Sequence, residues 1–112
     1  MTSLTYTVVV QSGPDAGLGH ERALRFIDSL LNIGHQLNRV FFYGEGVRVA
    51  LHWDDDSLST WQHVAQGGCE LVLCSASAER YGVEEPPAGF VIAGLGTLME
   101  AGLDSDRVLS FA

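Results

Sequence analysis

The stretch LVLCSASAER, residues 71–80, decides how this chain is interpreted. Its first half is a short apolar run typical of a buried strand, and its second half is typical of the first turns of a helix. Cys74 stands at the junction of the two. Unpaired backbone N–H groups and the positive end of the helix dipole favour a thiolate there. The position therefore predicts a reactive cysteine, against the simpler interpretation of a buried structural thiol.

Strand and helix signals alternate on both sides of this junction. Strands are predicted at 4–11, 37–43, 71–74, 90–93 and 107–111, and helices before Gly34, at 57–66, from Ser75 towards Gly82 and around 97–101. This alternation calls for an α/β fold of three layers, with a five-stranded, mostly parallel sheet between helices. The length favours the flavodoxin-like strand order 2-1-3-4-5. In this order the sheet changes direction between the first and third strands. Ligands of such sheets bind outside the carboxyl ends of the strands at that point, and Cys74 ends the third strand, so the fold again indicates Cys74 as the reactive residue.

Length and composition bound the class of protein. The 112 residues, of which 46% are hydrophobic and 18% charged, predict a single domain over residues 1–112. This low share of charge suits a domain that buries surface against partners. The sequence contains no apolar run of the roughly 18–20 residues that span a bilayer, and the amino terminus lacks a basic leader. We therefore expect a cytoplasmic location.

The charge balance excludes one class of partner. The chain has 14 acidic residues, six arginines and no lysine, and its net charge is −8. Nucleic-acid backbones are bound by clustered basic side chains, so direct nucleic-acid binding is not expected. The absence of lysine also excludes Schiff-base chemistry and a Walker A loop.

The two cysteines are predicted to act separately. Along an extended strand, Cys69 and Cys74 lie about 16 Å apart at roughly 3.3 Å per residue. A disulfide requires Cα atoms within about 7 Å. Both thiols are therefore expected to be free, in a reducing compartment.

Competing motifs are weaker. Residues 17–22 and 94–99 each begin like a dinucleotide-binding fingerprint but lack its third glycine, so a nucleotide or flavin site is not favoured. The acidic cluster His52, Asp54, Asp55 and Asp56 has no zinc-ligand spacing and is interpreted as a solvated loop that caps the next helix. His20 is a candidate for the crevice, whereas His35 and His63 are expected at a helix end and on the surface.

Four ordered segments resemble the DsrE/TusD sulfur-relay family, and within it the TusD branch. They are 41–47 (FFYGEGV), Cys74 with 80–83 (RYGV), 94–101 (GLGTLMEA) and 104–108 (DSDRV). The resemblance runs along nearly the whole chain, and four motifs in order are more specific than any one of them.

The resemblance implies a persulfide carrier in which Cys74 accepts sulfane sulfur from a donor protein and passes it to an acceptor protein. It further implies no metal or organic cofactor, and assembly with related subunits in a hexamer. TusD-like relays serve 2-thiolation of the tRNA wobble uridine, and DsrE-like ones serve sulfur oxidation. A non-catalytic scaffold subunit and a flavodoxin-like ligand-binding module are the alternatives.

One segment departs from the family pattern. Residues 48–69 are shorter than in TusD-like sequences, which bears on partner contacts. Tyr43, Glu45 and Arg80 are secondary candidates near the site, and a salt bridge at the helix end is the simpler role for Arg80. Cys69 has no assigned counterpart.

Overall fold

Five parallel strands form the central sheet of residues 3–51 and 56–112, the part of the chain that the computed structural model describes. The strands are β1 (Thr5–Val10), β2 (Gln36–Phe42), β3 (Glu70–Cys74), β4 (Phe90–Ala93) and β5 (Arg107–Phe111). The helices are α1 (Gly19–Asn32), α2 (Asp56–Ala65), α3 (Ser75–Tyr81) and α4 (Leu95–Asp104). The α/β class and the parallel five-stranded sheet are confirmed, and each predicted strand lies within a residue or two of its expected position.

The predicted strand order is wrong. The sheet has the order β4-β3-β2-β1-β5 rather than 2-1-3-4-5. The chain adds strands in one direction from β1 to β4 and then returns to place β5 on the far side of β1. The change of direction therefore lies between β1 and β5, and Cys74 on β3 is not at a topological switch point. The strand order therefore gives Cys74 no special position, contrary to the expectation from the flavodoxin-like order.

The two faces of the sheet are covered unequally. Right-handed crossovers that proceed in one direction place α1, α2 and α3 on the same face, and the reverse crossover places α4 on the other. On the first face, the Trp61 ring of α2 packs edge-on against Phe42 at 5.0 Å between centroids. Within the described chain, the helix that packs on the second face is α4, which has ten residues.

A bulge in β2 ties α4 to the sheet. The β1–β2 register skips Asn38, which leaves that residue unpaired. Its side-chain amide donates to Ser105 Oγ at 3.2 Å, and Thr7 Oγ1 lies 2.6 Å from the same hydroxyl. Arg39 donates to the Thr97 carbonyl at 3.0 Å. Both ends of α4 are thus bound to polar side chains on its face of the sheet.

A 3₁₀-helix over Gly44–Leu51 follows β2 and was not predicted. Its start lies against β1, since a Cβ at Gly46 would collide with the Val10 carbonyl oxygen. The third residue of the segment must therefore be glycine, because backbone atoms cannot move aside as a flexible side chain does. Gly44, two residues earlier, is favoured for a different reason, since its φ of 58° lies in the left-handed region.

Candidate active site

Cys74 lies at the carboxyl end of β3 and is the N-cap residue of α3. In the ladder it pairs with Ala93, and the next residue, Gly94, is the N-cap of α4. A Cβ on Gly94 would lie 3.7 Å from Ser75 Oγ, so the two helix starts are adjacent. No side chain among residues 3–51 and 56–112 caps either helix. The thiol therefore stands beside two sets of backbone N–H groups that carry partial positive charge.

The side chain of Cys74 belongs to the α4 face of the sheet. Arg39, which donates to α4, pairs with Glu70 in the β2–β3 ladder, and side chains alternate along a strand. Glu70, Val72 and Cys74 therefore share that face. Cys74 is only 1% exposed, so its thiol is almost inaccessible to solvent in the isolated chain. A partner thiol needs a local opening to reach the sulfur.

The segment from Tyr43 to Gly46, here called the 43–46 loop, lies beside Cys74 at the same edge. Phe42 pairs with Leu73, so Tyr43 and Cys74 each follow the last pair of the β2–β3 ladder. The Tyr43 amide donates to the Val10 carbonyl at 2.9 Å. Both Tyr43 and Glu45 are exposed.

Arg80 does not pair with a carboxylate at the helix end in the described residues. Its guanidinium lies 5.7 Å from the centre of the Tyr81 ring. The salt bridge proposed from the sequence is therefore replaced by a cation–π contact. The side chain is exposed on α3, six residues after Cys74.

Cys69 has the properties of a structural thiol. It is free, as is Cys74, which confirms that the two are not bonded. Burial raises the pKa of the Cys69 thiol to about 12, and the carboxylate of Glu70 adds to the effect. The Sγ–H donates to the Glu70 carbonyl at 3.5 Å. Cys69 therefore stays protonated at neutral pH and is a poor nucleophile.

The histidines of the described residues, His20, His35 and His63, lie away from Cys74. His20 is buried on the opposite face, where its Nδ1 accepts the indole N–H of Trp61 at 3.1 Å. Because indole only donates, Nε2 is the protonated nitrogen and donates to the Ser12 carbonyl at 2.6 Å. His20 therefore lines the groove between α1 and α2, on the face of the sheet opposite to the Cys74 side chain. His35 accepts the Leu4 amide, and His63 is exposed as expected.

No group of three or more potential metal ligands occurs within the described ranges. The predicted acidic loop falls partly outside them, since His52, Asp54 and Asp55 are not described. Asp56 is the first residue of α2, and its carbonyl accepts the hydroxyls of Ser59 and Thr60.

The described residues line at least two grooves beside the sheet. The larger, about 920 Å³, lies between α1 and α2, where Leu24, His63 and Val64 are among its lining residues. The smaller, about 440 Å³, is lined by residues of α3 and β4 that include Ser75, Glu79 and Ile92. Ser75 follows Cys74, but Ile92 pairs with Leu73, so this groove lies on the face of the sheet opposite to the Cys74 side chain.

Among the described helices, none has the length and apolar character needed to cross a membrane.

Comparison with known proteins decides the family. The model of the DsrE/DsrF-like family matches residues 5–111. The chain belongs to the DsrE/DsrF-like family. The sequence is 39% identical to the sulfurtransferase TusD of Serratia proteamaculans over 96% of this chain and 99% of the relative. It is 38% identical to TusD of Photorhabdus laumondii over 99% of this chain and 100% of that relative.

These relatives confirm the family expected from the four motifs and give this family member its activity class, sulfurtransferase. The alignment with the Serratia protein spans 129 residues and exceeds the 112 of this chain, so the relatives contain residues that this chain lacks. Assignment of that difference to residues 48–69 stays a prediction.

Solved structures confirm the fold. The YchN protein of E. coli superimposes with a TM-score of 0.86 at 20% identity, covering 96% of this chain and 99% of the other. Protein MTH1491 of Methanobacterium thermoautotrophicum gives a TM-score of 0.80 at 13% identity, with the same coverage. The DsrE-type arrangement is thus kept at low sequence identity.

Ser77 is a residue near the site to which the sequence gives no role. Its hydroxyl accepts the Gly44 amide at 2.9 Å. The two residues are 33 positions apart, so no local pattern pairs them. The sequence shows only that a serine follows Cys74 by three positions, in the first turn of a predicted helix.

The raised pKa of Cys69 predicts a pH-dependent stability. The unfolded thiol ionises near its ordinary value of 9.0, whereas the folded thiol stays protonated up to about 12. The unfolded state binds fewer protons in this window. The contribution of the Cys69 thiol to the free energy of unfolding is therefore fully present below about pH 9. It decreases by about 1.4 kcal/mol per pH unit as the pH rises from 9 towards 12.

Urea unfolding of the wild type and of Cys69→Ala, from about pH 8 to about pH 11, measures this effect. We expect the free energies of unfolding of the two proteins to converge as the pH rises, because the variant lacks the titrating group. Parallel curves would show that the Cys69 thiol ionises equally in both states.

Proposed function

We propose that this sulfurtransferase is a subunit of a sulfur relay and carries sulfane sulfur as a persulfide on Cys74. The observation that carries the proposal is the position of Cys74 at two adjacent helix starts, in a chain 39% identical to a sulfurtransferase TusD. The other thiol, Cys69, is unsuited because burial raises its pKa to about 12. The chemistry therefore selects Cys74 of the two.

The reaction consists of two sulfur exchanges. The Cys74 thiolate attacks the terminal sulfur of a donor persulfide, an S–S bond forms to Cys74, and the donor's S–S bond breaks with its electron pair on the donor's inner sulfur. The acceptor's thiolate then attacks the terminal sulfur and releases Cys74 as thiolate. The two steps conserve electrons and need no metal or organic cofactor. Backbone N–H groups at the starts of α3 and α4 stabilise the sulfur anion before the first step and after the second.

The donor and the acceptor are proteins in this proposal. The net charge of −8 and the absence of lysine oppose direct contact with RNA. Similarity to TusD supports 2-thiolation of the tRNA wobble uridine as the end of the relay, reached through a protein acceptor. Transfer in DsrE-type sulfur oxidation is the alternative from the wider family, and the proposed location is the cytoplasm.

A scaffold subunit without catalysis is the second candidate, and one observation favours it. Cys74 is 1% exposed, as a structural thiol would be. The two functions differ in whether Cys74 takes up sulfane sulfur. A scaffold takes up no sulfur, whereas a carrier does so after a local opening at the edge of the sheet.

Incubation with a persulfidated donor protein should add about 32 Da, one sulfur atom, to Cys74, and a reductant should remove it. Intact-protein and peptide mass spectrometry measure the addition. Cys74→Ser should take up none, while the matched variant Cys69→Ser should load as the wild type does. A wild type that takes up no sulfur from any competent donor, and that loses stability in Cys74→Ser, would support the scaffold instead.

The end of the relay is tested in cells. Replacement of the chromosomal gene by the Cys74→Ser form should remove 2-thiouridine from the wobble position of tRNA, because the acceptor receives no sulfur. Cys69→Ser should retain it. Nucleoside mass spectrometry of total tRNA measures the thiolation. Unchanged thiolation in a Cys74→Ser strain would indicate that the relay serves sulfur oxidation instead.

Assembly with related subunits is supported by an apolar surface on the α4 face. Leu95, Met99 and Leu103 recur every four residues on α4, and the last two are 73% and 87% exposed. Val91 and Val108, on the outer strands of the same face, are also exposed because one ten-residue helix does not cover five strands. Exposed apolar side chains gathered on one face in this way are typical of a subunit interface.

Light scattering at micromolar concentration should therefore report particles of more than one chain. The double variant Met99→Asp/Leu103→Asp should dissociate them, because it places carboxylates in the contact. Ile33→Asp, at the end of α1 and also well exposed, is the matched control and should leave the particle mass unchanged. A wild type that is monomeric alone and with its related subunits would contradict the hexamer.

A further inference from the structure

Ser77 links the Cys74 helix to the neighbouring loop. It lies in the first turn of α3 and is only 8% exposed. Its Oγ accepts the backbone N–H of Gly44, the first residue of the 3₁₀-helix, at 2.9 Å. The bond therefore joins the helix that begins after Cys74 to the 43–46 loop.

The 43–46 loop is fixed by three hydrogen bonds. Besides the bond to Ser77, the Tyr43 amide donates to the Val10 carbonyl at 2.9 Å and the Gly46 amide donates to the Tyr43 carbonyl at 3.0 Å. Gly44 has a φ of 58°, in the left-handed region that favours glycine. Among these three bonds, only that of Ser77 comes from a side chain. It is therefore the one that a substitution can remove without altering the backbone.

The loop presents a surface suited to a protein partner. Tyr43 is 43% exposed and follows the ladder pair adjacent to Cys74. Exposed aromatic residues on a rigid support are common anchors of protein interfaces, because they bury large area with little loss of side-chain freedom. Since Cys74 itself is buried, a partner must dock at the surrounding edge before sulfur is exchanged.

We propose that Ser77 is a positioning residue for sulfur transfer, which holds the 43–46 loop where the donor protein docks above Cys74. This inference rests on the proposed relay through Cys74. Ser77 makes no contact with the transferred sulfur in the reaction as written. Its hydroxyl acts through Gly44 and Tyr43, and its effect is on productive docking rather than on the exchange step.

The test compares Ser77→Ala with the wild type in the loading reaction from a persulfidated donor protein. At low donor concentration the loading rate should fall about threefold to tenfold, the loss expected for one hydrogen bond of ordinary strength. At saturating donor the rate should change little. Alkylation of Cys74 by iodoacetamide, which needs no docking, should keep its wild-type rate.

Two further variants make the result specific. Ser77→Thr retains a hydroxyl and should restore the wild-type dependence on donor concentration. Ser29→Ala removes an exposed helical serine on α1 and should have no effect. Hydrogen exchange at the Gly44 amide should accelerate in Ser77→Ala and remain slow in the other two.

The opposing outcomes are distinct. Equal dependence on donor concentration in Ser77→Ala and the wild type would overturn the positioning role while leaving the relay intact. A lower melting temperature with faster alkylation of both cysteines would identify a purely structural role and would also overturn it. A wild type that loads no sulfur would overturn the relay, and the positioning role with it.

Discussion

The parallel pairing of β2 with β3 is the constraint on which the site depends. It sets Phe42 opposite Leu73 and so delivers the 43–46 loop and Cys74 to the same edge of the sheet. Both strands end in consecutive fully buried residues, which fixes their register. A slip of one residue would transfer Cys74 to the opposite face, because side chains alternate along a strand. The apolar packing of these two strands therefore determines on which side the thiol lies.

Much of the fold is readable from local pattern, but the strand order is not. Apolar runs and glycine stops located each strand to within a residue or two, since both are set by neighbouring residues. The order of the strands in the sheet depends on the direction in which the chain crosses from each strand to the next, and no local residue specifies that direction. Two features nevertheless indicate which strands lie at the edge and which lie inside. β4 has only four residues, as suits an edge strand. β2 contains the apolar run Val40, Phe41 and Phe42, which is fully buried and typical of an interior strand.

The site was predictable in part for the same reason. The position of Cys74 between strand and helix is a local property and was found from residues 71–80. Its burial was not, because that depends on α4, whose start becomes adjacent only when β4 pairs with β3. The contact of Ser77 with Gly44 joins residues 33 positions apart and likewise exists only in the folded chain. His20, the second residue of α1, is another case, since its burial on the opposite face follows from contacts with Trp61 and Ser12 that the sequence does not show.

The burial of Cys74 is consistent with the chemistry of a carrier. An exposed thiolate is oxidised readily, and a persulfide on the surface would give its sulfur to any thiol that met it. A thiol held beneath the edge of the sheet reacts only when a partner, or a movement of the adjoining segments, admits a second sulfur. In the proposed relay, the start of α3 beside the sulfur is joined to the 43–46 loop through the hydrogen bond between Ser77 and Gly44. In the carrier that we propose, reactivity and selectivity would therefore have a common origin at this junction. The helix starts would stabilise the sulfur anion, and the burial of Cys74 would restrict the partners that reach it.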